Sequence, residues 1–173
     1  MLSLETALRV AIIGQEILIA AVLLYGQGGR AARLSGALFL LSVSAYLIVS
    51  NPLLSQAASI LSPLLTLLAI IVPYCLWLFA RAVFEAAWPR WWILAGFGLL
   101  AVFVWVIFIG GGSYGSDWVN VASIVTHIAS LTAVAHALWI AAKGRSDDLI
   151  EQRRQFRVIF IALVAAQVGV VLV

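Results

Sequence analysis

Charge and cysteine are both scarce in this chain. Asp, Glu, Lys and Arg make up 10% of its 173 residues, and hydrophobic residues make up 65%. In soluble domains about a quarter of the residues are charged, so an ordinary soluble domain is excluded. Cys75 is the one cysteine. No disulfide can therefore form within the chain, and the apolar neighbours of Cys75 favour a small buried side chain over a reactive thiol.

Metal-binding and catalytic patterns are also missing. The two histidines, His127 and His136, are nine residues apart, which places them on opposite faces of one helix and keeps them from binding one metal ion together. No His-x-x-His, Glu-x-x-His or His-Glu-x-x-His spacing occurs, and no serine stands in a recognisable order with a histidine and a carboxylate. We predict no enzyme activity, no metal site and no cofactor. The sequence offers no argument for a haem held between His127 and another chain.

Long apolar runs are what the chain has in abundance. Each is about 20 residues long, which is the length of a helix that crosses a bilayer. Glycine-rich or Asn-Pro turn sequences separate several of these runs. We predict an all-α, polytopic transmembrane helix bundle that forms one domain over residues 1–173, with its N-terminus outside. The six predicted spans are residues 4–25, 32–50, 57–84, 91–109, 118–142 and 156–173.

Basic residues occur in alternate loops of this predicted bundle. Nine of the ten lie in three clusters, and the loops 51–59 and 110–117 contain neither Lys nor Arg. Cytoplasmic loops carry the excess of Lys and Arg, so we predict cytoplasmic anchors that contact anionic lipid headgroups rather than nucleic acid. Six spans place Val173 outside, and we expect more chain after its apolar end. The nine anchors are Arg30, Arg33, Arg81, Arg90, Lys143, Arg145, Arg153, Arg154 and Arg157.

The first and fifth predicted spans contain polar residues at membrane depth, where an ionised carboxylate costs about 2.5 to 3.5 kcal/mol. Glu16 lies near the middle of the first span, and Asn120, Ser123 and His127 share one side of the fifth. Our hypothesis is a candidate intramembrane polar site in which Glu16 and His127 share a hydrogen bond or a proton. The alternative is that each is satisfied locally by serine, threonine or backbone groups.

Local predictions concern three further residues. Arg9 should reach outward and meet Glu5, one turn earlier, and Thr132 should be the partner of His136. Pro73, inside the third span, removes one backbone amide and should kink the helix. This kink is a candidate hinge, or else a static packing bend.

Two segments are more specific than the composition. PYCLWLFARAVFE, residues 73–85, and GRSDDLIEQRRQFR, residues 144–157, resemble elements of the N-terminal membrane region of AraC-type helix-turn-helix regulators. The resemblance implies a bacterial inner-membrane location and a membrane-embedded sensing role, with about seven spans before a cytoplasmic DNA-binding domain. This chain has six predicted spans and no helix-turn-helix domain, so we expect no direct binding of nucleic acid by it.

Three functions remain open. The first is a sensory or regulatory membrane domain, which the resemblance and the polar residues favour. The second is a small accessory subunit that packs against a larger bioenergetic or transport complex, or otherwise against other membrane chains or itself. The third is a small transporter, which would need a polar path through the whole bundle. A helix-turn-helix domain after Val173 would favour the first, and stoichiometric purification with a large complex would favour the second.

Overall fold

Almost all described residues of this chain are helical. The computed structural model describes residues 4–27, 29–84, 91–109, 117–143, 155, 158–162 and 164, and no strand occurs in these ranges. The predicted all-α fold is confirmed for them. The helices are α1 Leu4–Tyr25, α2 Arg30–Val49, α3 Pro52–Ala57, α4 Ser62–Ile70, α5 Val72–Phe84, α6 Trp91–Ile109 and α7 Asp117–Lys143, with a 3-10 turn at Ser59–Leu61.

Four predicted spans match single helices closely. The first and fourth have the bounds of α1 and α6, while α2 and α7 differ from the second and fifth by one or two residues at each end. The sixth, 156–173, lies mostly outside the described residues, although 158–162 and 164 are helical. Apolar runs that end in glycine or Asn-Pro therefore predict the bounds of these helices well.

The third predicted span, 57–84, is wrong as one continuous helix. Helix α3 starts directly after α2, because the Asn51 Oδ1 atom accepts from the amides of Leu53 (3.1 Å) and Leu54 (3.2 Å). Such a cap satisfies amides that a helix leaves free at its first turn. Pro52 begins α3, and Pro63 is the second residue of α4, positions where proline removes no needed hydrogen bond. The 3-10 turn and α4 thus replace the first half of the predicted span, and α3 occupies residues that were predicted to form a loop.

A sharp bend separates α4 from α5. The segments Ser59–Ile70 and Val72–Phe84 are bent by 51° relative to each other, and Ile71 lies between them outside the α-helix. Pro73, two residues later, has no N–H to donate to the Ala69 carbonyl, as a continuous helix would require. Cys75 N–H resumes the helical pattern by donating to the Ile71 carbonyl at 2.9 Å. A bend occurs where Pro73 predicts one, and its action as a hinge stays a prediction.

Helix α2 contacts more helices than its neighbours α1 and α4 do. It packs against α1, α4 and α5, while α5 also packs against α7, and α6 lies beside α4 and α7. A Cβ atom added at Gly36 would lie 3.0 Å from Cε2 of Phe79 and 3.3 Å from Cδ1 of Leu23, so glycine lets α5 and α1 approach α2 closely. Small residues at helix contacts are typical of membrane bundles. The buried residues of α2 are Ser35, Gly36, Ala37, Ser42, Ser44 and Ala45.

The lengths and compositions of these helices are those of a membrane protein. Three described helices, Leu4–Tyr25, Arg30–Val49 and the 119–143 part of α7, are long and apolar enough to cross a membrane. The bent pair α4 and α5 gives a fourth if it forms one span, and α6 contributes a shorter apolar segment, Ile93–Val106. The count of six spans and the orientation stay predictions.

Candidate functional site

A histidine and a buried indole join α5 to α7. Trp77 of α5 is 4% exposed, and its Nε1–H donates to Nδ1 of His136 on α7 at 2.7 Å. An indole can only donate, so Nδ1 of His136 is an unprotonated acceptor. The neutral ring then carries its proton on Nε2. The bond therefore fixes both the tautomer and the direction of the imidazole.

Alanine residues allow this close contact between the two helices. Ala133, Ala137 and Ala141, spaced four residues apart on α7, are buried in one apolar cluster with Tyr74 and Trp77 of α5. Residues at this spacing share one face of a helix. The large aromatic side chains of α5 thus pack against the smooth alanine face of α7.

Two cations cover the aromatic rings of this contact. Arg81 Cζ lies 5.4 Å from the centroid of the Trp77 ring, and Lys143 Nζ lies 4.8 Å from that of Trp139. Trp139 in turn stacks on His136, with centroids 5.6 Å apart and planes 16° from parallel. Each cation follows its ring by four residues, because helical side chains point back over the preceding turn. We call Trp77, Arg81, His136, Trp139 and Lys143 the α5–α7 cluster.

Helices α5 and α7 run in the same direction. Tyr74 lies beside Ser130, and Trp77 bonds to His136, so residue numbers rise together along both helices. The Tyr74 hydroxyl is buried and faces Ser130 without the geometry of a hydrogen bond. The C-terminal ends of α5 and α7, with Arg81 and Lys143, therefore lie at the same end of the bundle.

Helix α2 runs opposite to α5. Phe79 stacks on Phe39 with centroids 6.4 Å apart, whereas Cys75, earlier in α5, lies beside Ser42, later in α2. The N-terminal end of α2, with Arg30 and Arg33, is therefore at the same end of the bundle as Arg81 and Lys143. All the predicted basic anchors in the described part of the chain share this end, which we call the basic end. The remaining anchors, Arg90, Arg145, Arg153, Arg154 and Arg157, lie outside the described residues.

Glu16 has a partner that the sequence hypothesis did not name. Ser44 Oγ of α2 donates to Glu16 Oε2 at 2.7 Å, and Ser44 is 4% exposed. The carboxylate thus lies between α1 and α2 with a hydroxyl donor, which offsets part of its cost within a membrane. A second helix, rather than α7, provides the hydrogen bond.

His127 lies on an exposed face of α7. Its Nδ1–H donates to the Ser123 carbonyl at 2.7 Å, since a carbonyl can only accept. Asn120 is exposed on the same helix. Glu16 and His127 therefore each have a partner other than the one hypothesised. The partner of Glu16 is a serine of a second helix, and that of His127 is a backbone carbonyl of its own helix.

Arg9 and Arg33 bind the two ends of the α1–α2 hairpin. The predicted contact of Arg9 with Glu5 is confirmed, with Nη2 and Oε1 2.9 Å apart. Arg9 Nη1 also donates to Ser50 Oγ, after the end of α2, at 2.7 Å. Arg33 Nη1 donates to the carbonyl of Gly26 at 2.6 Å, which satisfies a backbone acceptor left free after α1. The contacts of both residues with the neighbouring helix were not predicted from the sequence.

The predicted pairing of His136 with Thr132 is wrong. Thr132 Oγ1 donates instead to the Ile128 carbonyl at 2.8 Å, and His136 bonds to Trp77. A signal for the correct partner was present in the sequence, because a buried indole N–H usually finds an acceptor.

No group of three or more metal-ligating side chains occurs among the residues that the structure describes. Comparison with known protein families, with curated proteins and with solved structures finds no match to this chain. The resemblance of residues 73–85 and 144–157 to AraC-type membrane regions therefore stays a prediction.

Proposed function

We propose that this chain is a non-catalytic sensory or regulatory domain of a bacterial inner membrane, similar to the membrane regions of AraC-type regulators. The observation that carries the proposal is the hydrogen bond between Trp77 and His136. Trp77 belongs to the first resembling segment, 73–85. Helix α7, which contains His136, ends at Lys143, directly before the second resembling segment, 144–157.

The position of this bond suits the transmission of a signal. Helix α5 follows a 51° bend, so a change in the bend changes the direction in which α5 meets α7. Packed helices respond to small shifts by moving as units between discrete arrangements. A shift of α7 would reach residues 144–157 without an intervening helix, and these residues are where a regulatory output would begin.

The proposal includes the predicted topology of six spans with the N-terminus outside. Its support is that Arg33, Arg81 and Lys143 share the basic end, while Arg9 and Ser50 lie at the opposite end of the α1–α2 hairpin. Excess positive charge marks the cytoplasmic side. Labelling of single cysteines in a Cys75→Ser background checks this. Cysteine at Arg30 should react only in opened cells and cysteine at Gln56 in intact cells, and the reverse result would overturn the orientation.

Transcript measurements test the regulatory role. A strain that lacks the chain should show altered levels of a defined set of transcripts, and the wild-type gene should restore them. The His136→Leu variant, at equal abundance in the membrane, should restore them poorly, whereas Leu131→Ala, at an exposed position of the same helix, should restore them fully. Unchanged transcripts on deletion would overturn the proposal.

An accessory subunit is the second candidate function. It is favoured by the exposure of Asn120 and His127 on α7, because polar groups at membrane depth usually contact protein rather than lipid. Purification in mild detergent discriminates between the candidates. A constant stoichiometry with a larger membrane complex would favour the subunit, as would loss of that complex after an Asn120→Leu substitution. Transport ranks third, because the described polar contacts lie in separate helix pairs rather than along one path.

A further inference from the structure

We propose that the α5–α7 cluster binds the headgroup of an anionic phospholipid at the basic end of the bundle. The ligand class is a phosphodiester with a net negative charge, and the groups that would recognise it are the Lys143 ammonium and the His136 Nε2–H, with the Arg81 guanidinium beside them. This inference does not depend on the regulatory function, since it requires only that the chain lies in a membrane.

The imidazole supplies a directed donor. Trp77 occupies Nδ1 of His136 at 2.7 Å, so the proton of the neutral ring is on Nε2. This atom makes no hydrogen bond to the described residues and is not among their buried polar atoms, which places it at the molecular surface. A phosphate oxygen is a strong acceptor for such an N–H.

The ammonium of Lys143 is held toward the same place. Its Nζ lies over the Trp139 ring, and this ring stacks on His136, so the long side chain turns back along α7 instead of extending into water. Arg81 turns back in the same way over Trp77. Tryptophan side chains favour the headgroup level of a bilayer, and an indole face holds a cation in a defined position. Each cation is thereby held over an indole ring that itself contacts the imidazole.

No acidic side chain of the described helices lies near Lys143 to balance its positive charge. The acidic residues in the described ranges are Glu5, Glu16 and Asp117. Glu5 pairs with Arg9 at the opposite end, Glu16 bonds to Ser44 at mid-helix, and Asp117 starts α7 while Lys143 ends it. In a bilayer, a lipid phosphate is an anionic group that lies at this depth.

Lipid binding to the purified full chain tests the site. Native mass spectrometry in a neutral detergent would measure the binding of phosphatidylglycerol and of phosphatidylcholine to the wild type and to three variants. Lys143→Gln removes the charge. His136→Asn keeps an acceptor at the δ position for Trp77 and loses the ε donor. Arg30→Gln is the control, because Arg30 is an exposed arginine at the same end but outside the cluster.

We expect tighter binding of phosphatidylglycerol than of phosphatidylcholine by the wild type. Lys143→Gln should weaken phosphatidylglycerol binding about fivefold, because it removes a charge-assisted hydrogen bond to the phosphate. His136→Asn should weaken it by a similar factor, and Arg30→Gln should leave it within about twofold. If His136→Asn lowers the unfolding midpoint, its loss of binding could come from a disturbed fold, and the effect of Lys143→Gln alone then tests the site.

Several outcomes would overturn the proposal. Equal losses in Arg30→Gln and Lys143→Gln would show general surface charge rather than a site. Equal binding of the two lipids would show no recognition of the anion. Displacement of phosphatidylglycerol by millimolar inorganic phosphate would assign the site to a soluble anion instead of a lipid. Unchanged affinity of Lys143→Gln for phosphatidylglycerol would show that the Lys143 ammonium does not bind the headgroup.

Discussion

Loss of the His136 acceptor should destabilise the helix bundle measurably. Leucine at position 136 keeps an apolar side chain of similar bulk against Trp139 but offers nothing to the Trp77 N–H. That indole is 4% exposed, so water cannot replace the lost acceptor. An unsatisfied buried donor costs about 1 to 3 kcal/mol, while hydrogen bonds in membrane bundles average about 0.6 and reach about 1.7 kcal/mol. Because Trp77 is buried among protein side chains, we expect a loss of about 1 to 2 kcal/mol for His136→Leu.

A double-mutant cycle separates this bond from the packing around it. Reversible unfolding of the full chain in detergent micelles would be measured for the wild type, His136→Leu, Trp77→Phe and the double variant. In the Trp77→Phe background no indole donor remains, so His136→Leu should cost at least about 0.5 kcal/mol less than in the wild type. His136→Asn should retain much of the stability, since its side-chain oxygen can accept at the δ position.

The cycle also contains the result that would refute this reasoning. If His136→Leu costs the same with and without the Trp77 indole, the bond contributes nothing and the loss comes from the stacking of His136 on Trp139. Equal losses for His136→Asn and His136→Leu would point to the same conclusion. A near-zero effect of all three variants would mean that the contact is absent in the folded protein.

Two further predictions concern α2. Ser44→Ala should lower the free energy of unfolding by about 1 kcal/mol, because it leaves the Glu16 carboxylate without its donor. Adding Glu16→Leu should recover stability, because both members of the pair are then removed together. A further loss of stability in the double variant would contradict this prediction. Gly36→Val should destabilise the protein by about 1 to 3 kcal/mol through overpacking, since even a Cβ would lie 3.0 Å from Phe79. Gly14→Val is the control, because no atom lies within 4 Å of a Cβ added there. Equal effects at both glycines would mean that the loss comes from helix propensity rather than from packing.

The bounds of α1 and α6 could be predicted because they follow from local properties. An apolar run of bilayer length that ends in glycine has few alternatives to one helix. The helix start at Pro52 was not predicted from the sequence. Asn51 and Pro52 are typical of a turn, but Asn-Pro is also a strong start for a helix. Pro73 breaks the longer helix and also occupies the first turn of α5.

The partners of the polar residues could not be predicted in the same way. Helical periodicity places Glu16 on a face of α1, but it does not say which helix covers that face. Ser44 is one of several serines on α2, and nothing in its sequence neighbours marks it as the donor. The hypothesis therefore selected the more distinctive His127, and it failed to find the less distinctive serine. Which helices are neighbours depends on packing, and packing is not encoded in any one residue.

Polar contacts hold the two helix pairs differently, and this difference is consistent with the proposed shift of α7 against α5. The α1–α2 hairpin is bonded at one end by Arg9 and Ser50, near its middle by Glu16 and Ser44, and at the basic end by Arg33 and Gly26. Bonds at three levels between the same helices oppose both sliding and rotation.

The contact between α5 and α7 contains its own source of alternative positions. Ala133, Ala137 and Ala141 repeat every four residues, so a displacement of about one turn along α7 would present a similar alanine face to α5, and one-turn displacements are a known form of switching. Trp77 distinguishes these registers, because one turn further along α7 the indole would meet Ile140, which has no side-chain acceptor. The bond to His136 therefore opposes a displacement of α7 that would bring Ile140 to Trp77, and its loss should affect the position of α7 more than the amount of helix.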